Sequence, residues 1–88
     1  METILAAICE DEKPILNYIH KSLQKVFQTR NYPITFDCYE SGEELLDAAT
    51  RGIEYQLLFL DIEMPGINGI DLCRKLRPFH PKALIIFI

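Results

Sequence analysis

Four apolar runs alternate with three amphipathic stretches along the chain. Residues 3–9, 56–60 and 83–88 are almost continuously apolar, which is typical of strands buried on both faces of a parallel sheet. Residues 34–39 instead alternate between apolar and more polar side chains, which predicts a half-exposed strand at a sheet edge. The four runs therefore predict four strands.

The first amphipathic stretch predicts a helix of about four turns with one apolar face. Pro14 stands in its first turn, where the missing backbone N–H costs nothing. Asn31-Tyr32-Pro33 ends the pattern. The predicted apolar face consists of Ile15, Leu16, Ile19, Leu23, Val26 and Phe27.

Capping residues open the other two predicted helices. Ser41 and Glu44 have the spacing of a capping box, in which the hydroxyl accepts an amide hydrogen bond and the carboxylate reaches back. Gly52 is suited to end that helix, and Asn68 is suited to cap the third. The third helix is predicted to direct Ile70, Cys73 and Leu76 inward and to place Arg74, Lys75 and Arg77 at its solvated end.

The resulting order is β-α-β-α-β-α-β over residues 1–88. Strands that alternate with helices imply an α/β fold, with a parallel sheet, right-handed crossovers and helices on both faces. No linker or repeat interrupts the pattern, so we expect a single domain.

The composition narrows the functional classes. The 88 residues are 49% apolar and 25% charged, as in ordinary globular domains. With 9 basic and 13 acidic residues the formal charge is −4, so we expect no direct nucleic-acid binding by this segment. Because the chain shows neither a secretory leader pattern nor a membrane-length apolar run, we expect a cytoplasmic protein without membrane contact.

The cysteines and histidines carry no pattern of their own. Cys9, Cys38 and Cys73 are widely spaced and form no C-x-x-C pair, and each falls within an apolar pattern. We therefore predict buried free thiols. His20 and His80 have no acids patterned around them, so we predict surface or boundary positions for both.

Carboxylates follow two of the predicted strands. Glu10 and Asp11 come directly after the first strand, and Asp61 comes directly after the third. In such sheets ligands bind outside the carboxyl ends of the strands, where strand order reverses. Three carboxylates there repel one another unless a cation is bound or one group takes up a proton. An all-oxygen ligand set with few protein ligands favours Mg²⁺.

A bound metal beside an exposed acid also fits phosphoryl chemistry, in which Asp61 attacks phosphorus and becomes an aspartyl phosphate. A single Asp at a strand end is more often a helix cap or a solvated loop residue. The acidic pair after one strand together with an Asp after another favours the metal site. These residues alone do not identify which acid is phosphorylated.

Two stretches around the acids resemble a known family. Residues 9–12, Cys-Glu-Asp-Glu, and residues 59–69, Phe-Leu-Asp-Ile-Glu-Met-Pro-Gly-Ile-Asn-Gly, are similar to the receiver domain of two-component response regulators. The resemblance runs over all 88 residues and implies the flavodoxin-like (CheY-like) fold, here without the final α-β-α.

The resemblance implies roles for four acids. Asp61 matches the phosphoryl acceptor, and Asp11 matches the acid that binds Mg²⁺ directly, so these two would carry the catalysis. Glu10 matches the partner of that acid, which usually acts through water and is often Asp in the family. Glu63 matches the position whose backbone carbonyl completes the metal site, with its side chain near the acceptor.

Some parts of the family pattern have no counterpart in residues 1–88. These are the Ser or Thr after the fourth strand and the Lys after the fifth, and Lys82 lies at the wrong end of the sheet to replace the Lys. Residues 83–88 form an apolar run with no turn or polar tail. We therefore expect residues 1–88 to be the amino-terminal portion of a longer domain. The edge of this strand would then be open to pairing with a second copy, which gives a homodimer.

The resemblance also implies partners. Residues 8–13, 60–65 and 85–88 look most like the branch whose output is a LytTR-type DNA-binding domain, so transcription would be the regulated process. A sensor histidine kinase would supply the phosphoryl group. Two other functions stay open: a Mg²⁺-dependent phosphohydrolase that works through an aspartyl phosphate, and an interaction module that is never phosphorylated.

Overall fold

The computed structural model describes residues 2–88 and contains the seven elements in the predicted order. They are β1 (Ile4–Cys9), α1 (Lys13–Thr29), β2 (Ile34–Tyr39), α2 (Gly42–Thr50), β3 (Leu57–Leu60), α3 (Gly69–Leu76) and β4 (Leu84–Phe87). Within this described part of the chain, no helix is both long and apolar enough to span a membrane.

The four strands form one parallel sheet in the order β2-β1-β3-β4. The chain moves from β1 to β2 on one side and then returns to β3 on the other side of β1. The strand order therefore reverses at β1. Cys9 pairs with Leu60, and Leu60 pairs with Phe87, so β1, β3 and β4 end level with one another. This register brings the residues that follow β1 and β3 to the same edge of the sheet.

Each face of the sheet carries its own apolar cluster. Ile8 and Phe59 pack with Leu16 of α1 on one face. The larger cluster on the other face joins alternate residues of β1 and β3 to α2 and α3, and it includes Ala7, Cys9, Leu45, Leu58, Leu60, Leu72 and Leu76. Helices on both faces and an edge position for β2 confirm the fold predicted from the sequence.

The predicted inward faces of two helices are partly wrong. Ile15 and Val26 of α1 are 43% and 55% exposed, because only a narrow strip around Leu16 contacts the sheet. In α3, Ile70 is 39% exposed while Leu72 is fully buried. The helix has eight residues, and Gly69 packs against the β3 terminus, so packing at its first turn sets which residues face the sheet.

Two further predictions about burial are wrong. Cys38 is exposed, because β2 is an edge strand and the apolar cluster around α1 takes up Phe36 but not Cys38. His80 is only 3% exposed, with Nε2 3.1 Å from the carbonyl of Ile53. Arg77 is exposed, as predicted, and its guanidinium donates to the carbonyls of His80 and Ala83 in the α3–β4 connection.

The other cysteine and histidine predictions hold in part or fully. Cys9 is a buried free thiol, and Cys73 is a half-buried one. Burial, followed by the charge of Glu10, raises the pKa of Cys9 to about 12. His20 lies at the boundary of the α1 face, edge-on to Phe36 at 5.5 Å between ring centroids.

The predicted helix caps are present, with one difference. The Ser41 hydroxyl accepts from the Glu44 amide at 3.2 Å, but the Glu44 carboxylate accepts from the amide of Glu40 instead of Ser41. Gly52 adopts φ +93° just after α2, a left-handed conformation that glycine tolerates. Asn68 Oδ1 accepts from the Asp71 amide at 2.9 Å and caps α3.

Candidate functional site

The structure brings Glu10, Asp11 and Asp61 together at the carboxyl edge of the sheet. One carboxylate oxygen from each residue lies within 4.8 Å of an oxygen from each of the others. The Asp61 amide donates to the Cys9 carbonyl at 3.0 Å and ties the end of β3 to the end of β1. The cluster therefore sits at the strand-order reversal, where the sequence pattern predicted it.

Glu10 is the buried member of this cluster. It is 5% exposed, and its Oε2 is buried without a hydrogen-bond partner in residues 2–88. Burial raises the pKa of Glu10 to about 7, and the neighbouring carboxylates of Asp61, Asp11 and Glu12 act in the same direction. The site therefore holds Glu10 in an environment that favours either a proton or a positive charge beside it.

These residues fit a hard divalent cation. The donors are all carboxylate oxygens, and Asp11 and Asp61 are partly exposed, so solvent oxygens can complete a coordination shell. The unpartnered Oε2 of Glu10 is the kind of buried acceptor that such a cation satisfies, either directly or through water.

The backbone beneath Asp61 is held by close packing of α3. A Cβ atom on Gly69 would lie 2.2 Å from the Asp61 carbonyl oxygen and 2.9 Å from the Ile62 Cα. The Gly69 amide donates to the Ile62 carbonyl at 2.9 Å. Only glycine allows the first turn of α3 to approach the phosphoacceptor candidate this closely.

Glu63 contributes to the site through its backbone. Its amide donates to Asp61 Oδ1 at 3.3 Å, which orients the carboxylate, while its side chain is exposed and lies outside the three-acid cluster. The role predicted for its carbonyl in a metal site stays a prediction. Lys82 precedes β4 at the amino edge of the sheet, away from the cluster as predicted.

Two contacts that support this site were not predicted. Met64 Sδ lies 3.7 Å from Cys9 Sγ, and Met64 is only 8% exposed, so it anchors the β3–α3 loop under the cluster. Glu43 Oε2 accepts from the Ile67 amide of the same loop at 3.1 Å. These pairs are 55 and 24 residues apart, and no local pattern in the sequence links such distant positions.

The comparison with protein families matches this site to a known class. The profile of the response regulator receiver domain matches residues 6–88, which include the whole acidic cluster and the β3–α3 loop. The chain belongs to the response regulator receiver family. Its parallel sheet, with helices on both faces, is the flavodoxin-like fold of that family.

Named members of the receiver family align over most of the chain. The sensory transduction protein LytT of Oceanobacillus iheyensis is 38% identical over 82 residues, covering 90% of this chain and 30% of that protein. The uncharacterized transcriptional regulatory protein YkoG of Bacillus subtilis is 33% identical over 81 residues, covering 92% of this chain and 32% of that protein. The chain thus spans about a third of the length of these curated relatives.

A solved receiver-family structure gives the same result. The response regulator TrrA of Thermotoga maritima, determined in complex with Mg²⁺-BeF, is 34% identical, with a TM-score of 0.76. The alignment covers 96% of this chain and 67% of that one. The metal and the beryllium fluoride belong to TrrA.

Proposed function

We propose that this chain is a phosphoacceptor receiver in which Asp61 takes up a phosphoryl group with the help of Mg²⁺. The observation that carries the proposal is the meeting of Glu10, Asp11 and Asp61 at the strand-order reversal. The Mg²⁺-BeF complex of the related TrrA supports the same chemistry here. Glu10 and Asp11 would hold the cation together with Asp61, and Glu63 would add its carbonyl.

Different residues of the chain have different roles in the reaction. A carboxylate oxygen of Asp61 forms a bond to phosphorus while the bond from phosphorus to the donor breaks, and that electron pair leaves with the donor. The Glu63 amide orients the Asp61 carboxylate, and the packed Gly69 holds its backbone. Bound Mg²⁺ would supply positive charge against the phosphoryl oxygens.

The site serves signalling by self-phosphorylation and slow self-dephosphorylation, and not turnover of a small substrate. The relatives that match are named as response regulators, sensory transduction proteins and transcriptional regulators. We propose a cytoplasmic location for this protein and a sensor histidine kinase as the phosphoryl donor. We also propose a transcription-regulating output domain, of the LytTR type by its likeness to LytT.

The proposal extends to the organisation of the protein. Residues 1–88 would form the amino-terminal portion of a receiver, because they align with 67% of the TrrA chain. The outer edge of β4 is unpaired within residues 2–88, and Leu84 and Ile86 are 61% and 38% exposed. The alternative to a longer receiver is that a second copy pairs along this edge and gives a homodimer.

Intact-mass measurement after incubation with Mg²⁺ and acetyl phosphate tests the function. We expect a covalent adduct of one phosphoryl group that is absent without Mg²⁺ and absent in Asp61→Asn. Asp47→Asn, which removes the charge of an exposed acid on α2, should form the adduct normally. Steady phosphate release from many esters would support a phosphohydrolase, and absence of both adduct and metal binding would support an interaction module.

A further inference from the structure

The start of α2 contains two adjacent carboxylates with different partners. Glu44 stays close to the start of its own helix and accepts from the amide of Glu40. The Glu43 side chain bonds outside its own helix, and its Oε2 accepts from the amide of Ile67 at 3.1 Å. Ile67 lies in the β3–α3 loop, the segment between β3 and α3 that begins at Asp61. The capping motif therefore also connects α2 to the loop of the proposed phosphoacceptor.

Two glycines make this connection possible. Gly66 adopts φ +74°, and a Cβ atom there would lie 2.6 Å from Glu43 Oε2. Gly42 is buried, and a Cβ atom there would lie 3.2 Å from the Ile67 carbonyl oxygen. These residues pack closely, so a side chain on either glycine would press against the residue opposite. We call the set the α2–loop contact; it consists of Gly42, Glu43, Gly66 and Ile67.

The α2–loop contact lies on the short segment that joins Asp61 to α3. Only seven residues, 62–68, separate Asp61 from α3, and Met64 and Gly69 anchor the segment at two other points. Glu63 lies before Met64 and directly after Ile62, and its amide orients the Asp61 carboxylate. Ile67 is two residues from Gly69, which packs on the Asp61 carbonyl and donates to the Ile62 carbonyl. We therefore expect a shift at Ile67 to reach Glu63 and Asp61 through Gly69 and Ile62.

We propose that Glu43 is a positioning residue for Asp61. By holding Ile67 through the α2–loop contact, it fixes the β3–α3 loop and with it the Glu63 amide that orients the phosphoacceptor. The effect on phosphorylation rests on the function proposed above, whereas the effect on the loop does not. The two are therefore measured separately.

Amide hydrogen exchange of the metal-free protein tests the effect on the loop. Glu43→Ala removes the acceptor and should raise exchange at Ile67 and Glu63 by about tenfold relative to the core amide of Leu58, as expected for the loss of a hydrogen bond to a charged group. Glu43→Gln keeps an acceptor oxygen, so the exchange rates at Ile67 and Glu63 should change by less than about threefold. The control Asp47→Ala, on the exposed side of the same helix, should change neither amide.

The rate of adduct formation with Mg²⁺ and acetyl phosphate tests the effect on chemistry. We expect Glu43→Ala to slow phosphorylation of Asp61 by about tenfold, because small displacements of a reacting group are costly. Glu43→Gln and Asp47→Ala should stay near the wild-type rate. A role in stability alone would move every amide in parallel with Leu58 and would leave the rate per folded molecule unchanged.

A pair of glycine variants separates backbone strain from displacement of Glu43. Gly66 and Gly52 both have positive φ, at +74° and +93°, so alanine is strained at either position. A Cβ atom at Gly52 has no neighbour within 4 Å, whereas the one at Gly66 meets Glu43. Gly66→Ala should therefore increase exchange at Ile67 and Glu63, and Gly52→Ala should not. In the Glu43→Ala background, Gly66→Ala should add little.

Two results would overturn the inference. One is unchanged exchange at Ile67 and Glu63 in Glu43→Ala, and the other is equal behaviour of Gly66→Ala and Gly52→Ala at these amides. If the wild-type protein forms no adduct at all, the proposed function is wrong. The role of Glu43 as a positioning residue for the loop then stands or falls on the exchange results, which need neither metal nor phosphodonor.

Discussion

At the scale of single residues, Glu10 combines burial with negative neighbours, and this combination makes the stability of the protein depend on pH. Its pKa is about 7 in the folded chain, against an ordinary value of 4.5. Between these two values the folded state binds more protons than the unfolded state. The contribution of Glu10 to the free energy of unfolding is therefore fully present below about pH 4.5 and is lost as the pH rises through 7.

Without Mg²⁺, we predict that the free energy of unfolding falls by about 1–3 kcal/mol between pH 5 and pH 8. Glu10→Gln removes the titrating group and should flatten this dependence, whereas Glu12→Gln, at an exposed neighbour, should retain it. Urea unfolding at several pH values in the presence of a chelator measures the slope. An equal slope in wild type and Glu10→Gln would show that another group is responsible.

Gly69 is the residue whose lack of a side chain matters most to the site. Alanine at a helical position normally stabilises, but here its Cβ would lie 2.2 Å from the Asp61 carbonyl oxygen. We predict that Gly69→Ala lowers the free energy of unfolding by about 2 kcal/mol, within the range of overpacking mutations. Gly42→Ala, whose nearest contact would be 3.2 Å, should cost less. Equal losses in urea unfolding would contradict the packing argument.

At the scale of elements, one arginine makes two hydrogen bonds in the connection between α3 and β4. Arg77 donates to the His80 carbonyl at 3.2 Å and to the Ala83 carbonyl at 2.8 Å. These bonds shape the loop that carries His80 into the interior, where its ring stacks on Tyr55.

We predict that Arg77→Ala lowers the free energy of unfolding by about 1–2 kcal/mol, because it leaves two carbonyls without a charged donor. Arg74→Ala removes a neighbouring exposed arginine, whose pair with Asp71 is 3.5 Å long, and should cost less than about 0.5 kcal/mol. Urea unfolding of both variants measures the difference. If the two variants lose the same stability, Arg77 does not hold the connection.

Most elements follow from local patterns, because periodicity and capping are properties of neighbouring residues. Continuous apolar runs marked β1 and β3, alternation marked the edge strand β2, and Ser41 and Asn68 marked the starts of α2 and α3. The inward face of α3 could not be predicted, since two turns leave its rotation to the packing of Gly69. His80 is buried by tertiary contacts with Ile53 and Tyr55, which no local pattern reveals.

At the scale of the whole molecule, the parallel topology of the sheet brings the three acids of the cluster to one edge. Asp61 lies 50 residues after Asp11, which is adjacent to Glu10, yet the register of β1 and β3 sets the three acids side by side. That juxtaposition could be predicted from the strand pattern alone. The support around it, Met64 against Cys9 and Glu43 against Ile67, arises from tertiary packing and was visible only in the structure.

The central claim is that one acid of this cluster, Asp61, is the residue that receives the phosphoryl group. The most direct test is peptide mapping by mass spectrometry after reaction with Mg²⁺ and acetyl phosphate and reductive trapping of the acyl phosphate. We predict a single trapped position at Asp61, lost in Asp61→Asn and retained in Asp47→Asn. Trapping at Glu10, Asp11 or Glu63 in the wild-type protein, or no trapped position at all, would contradict the account.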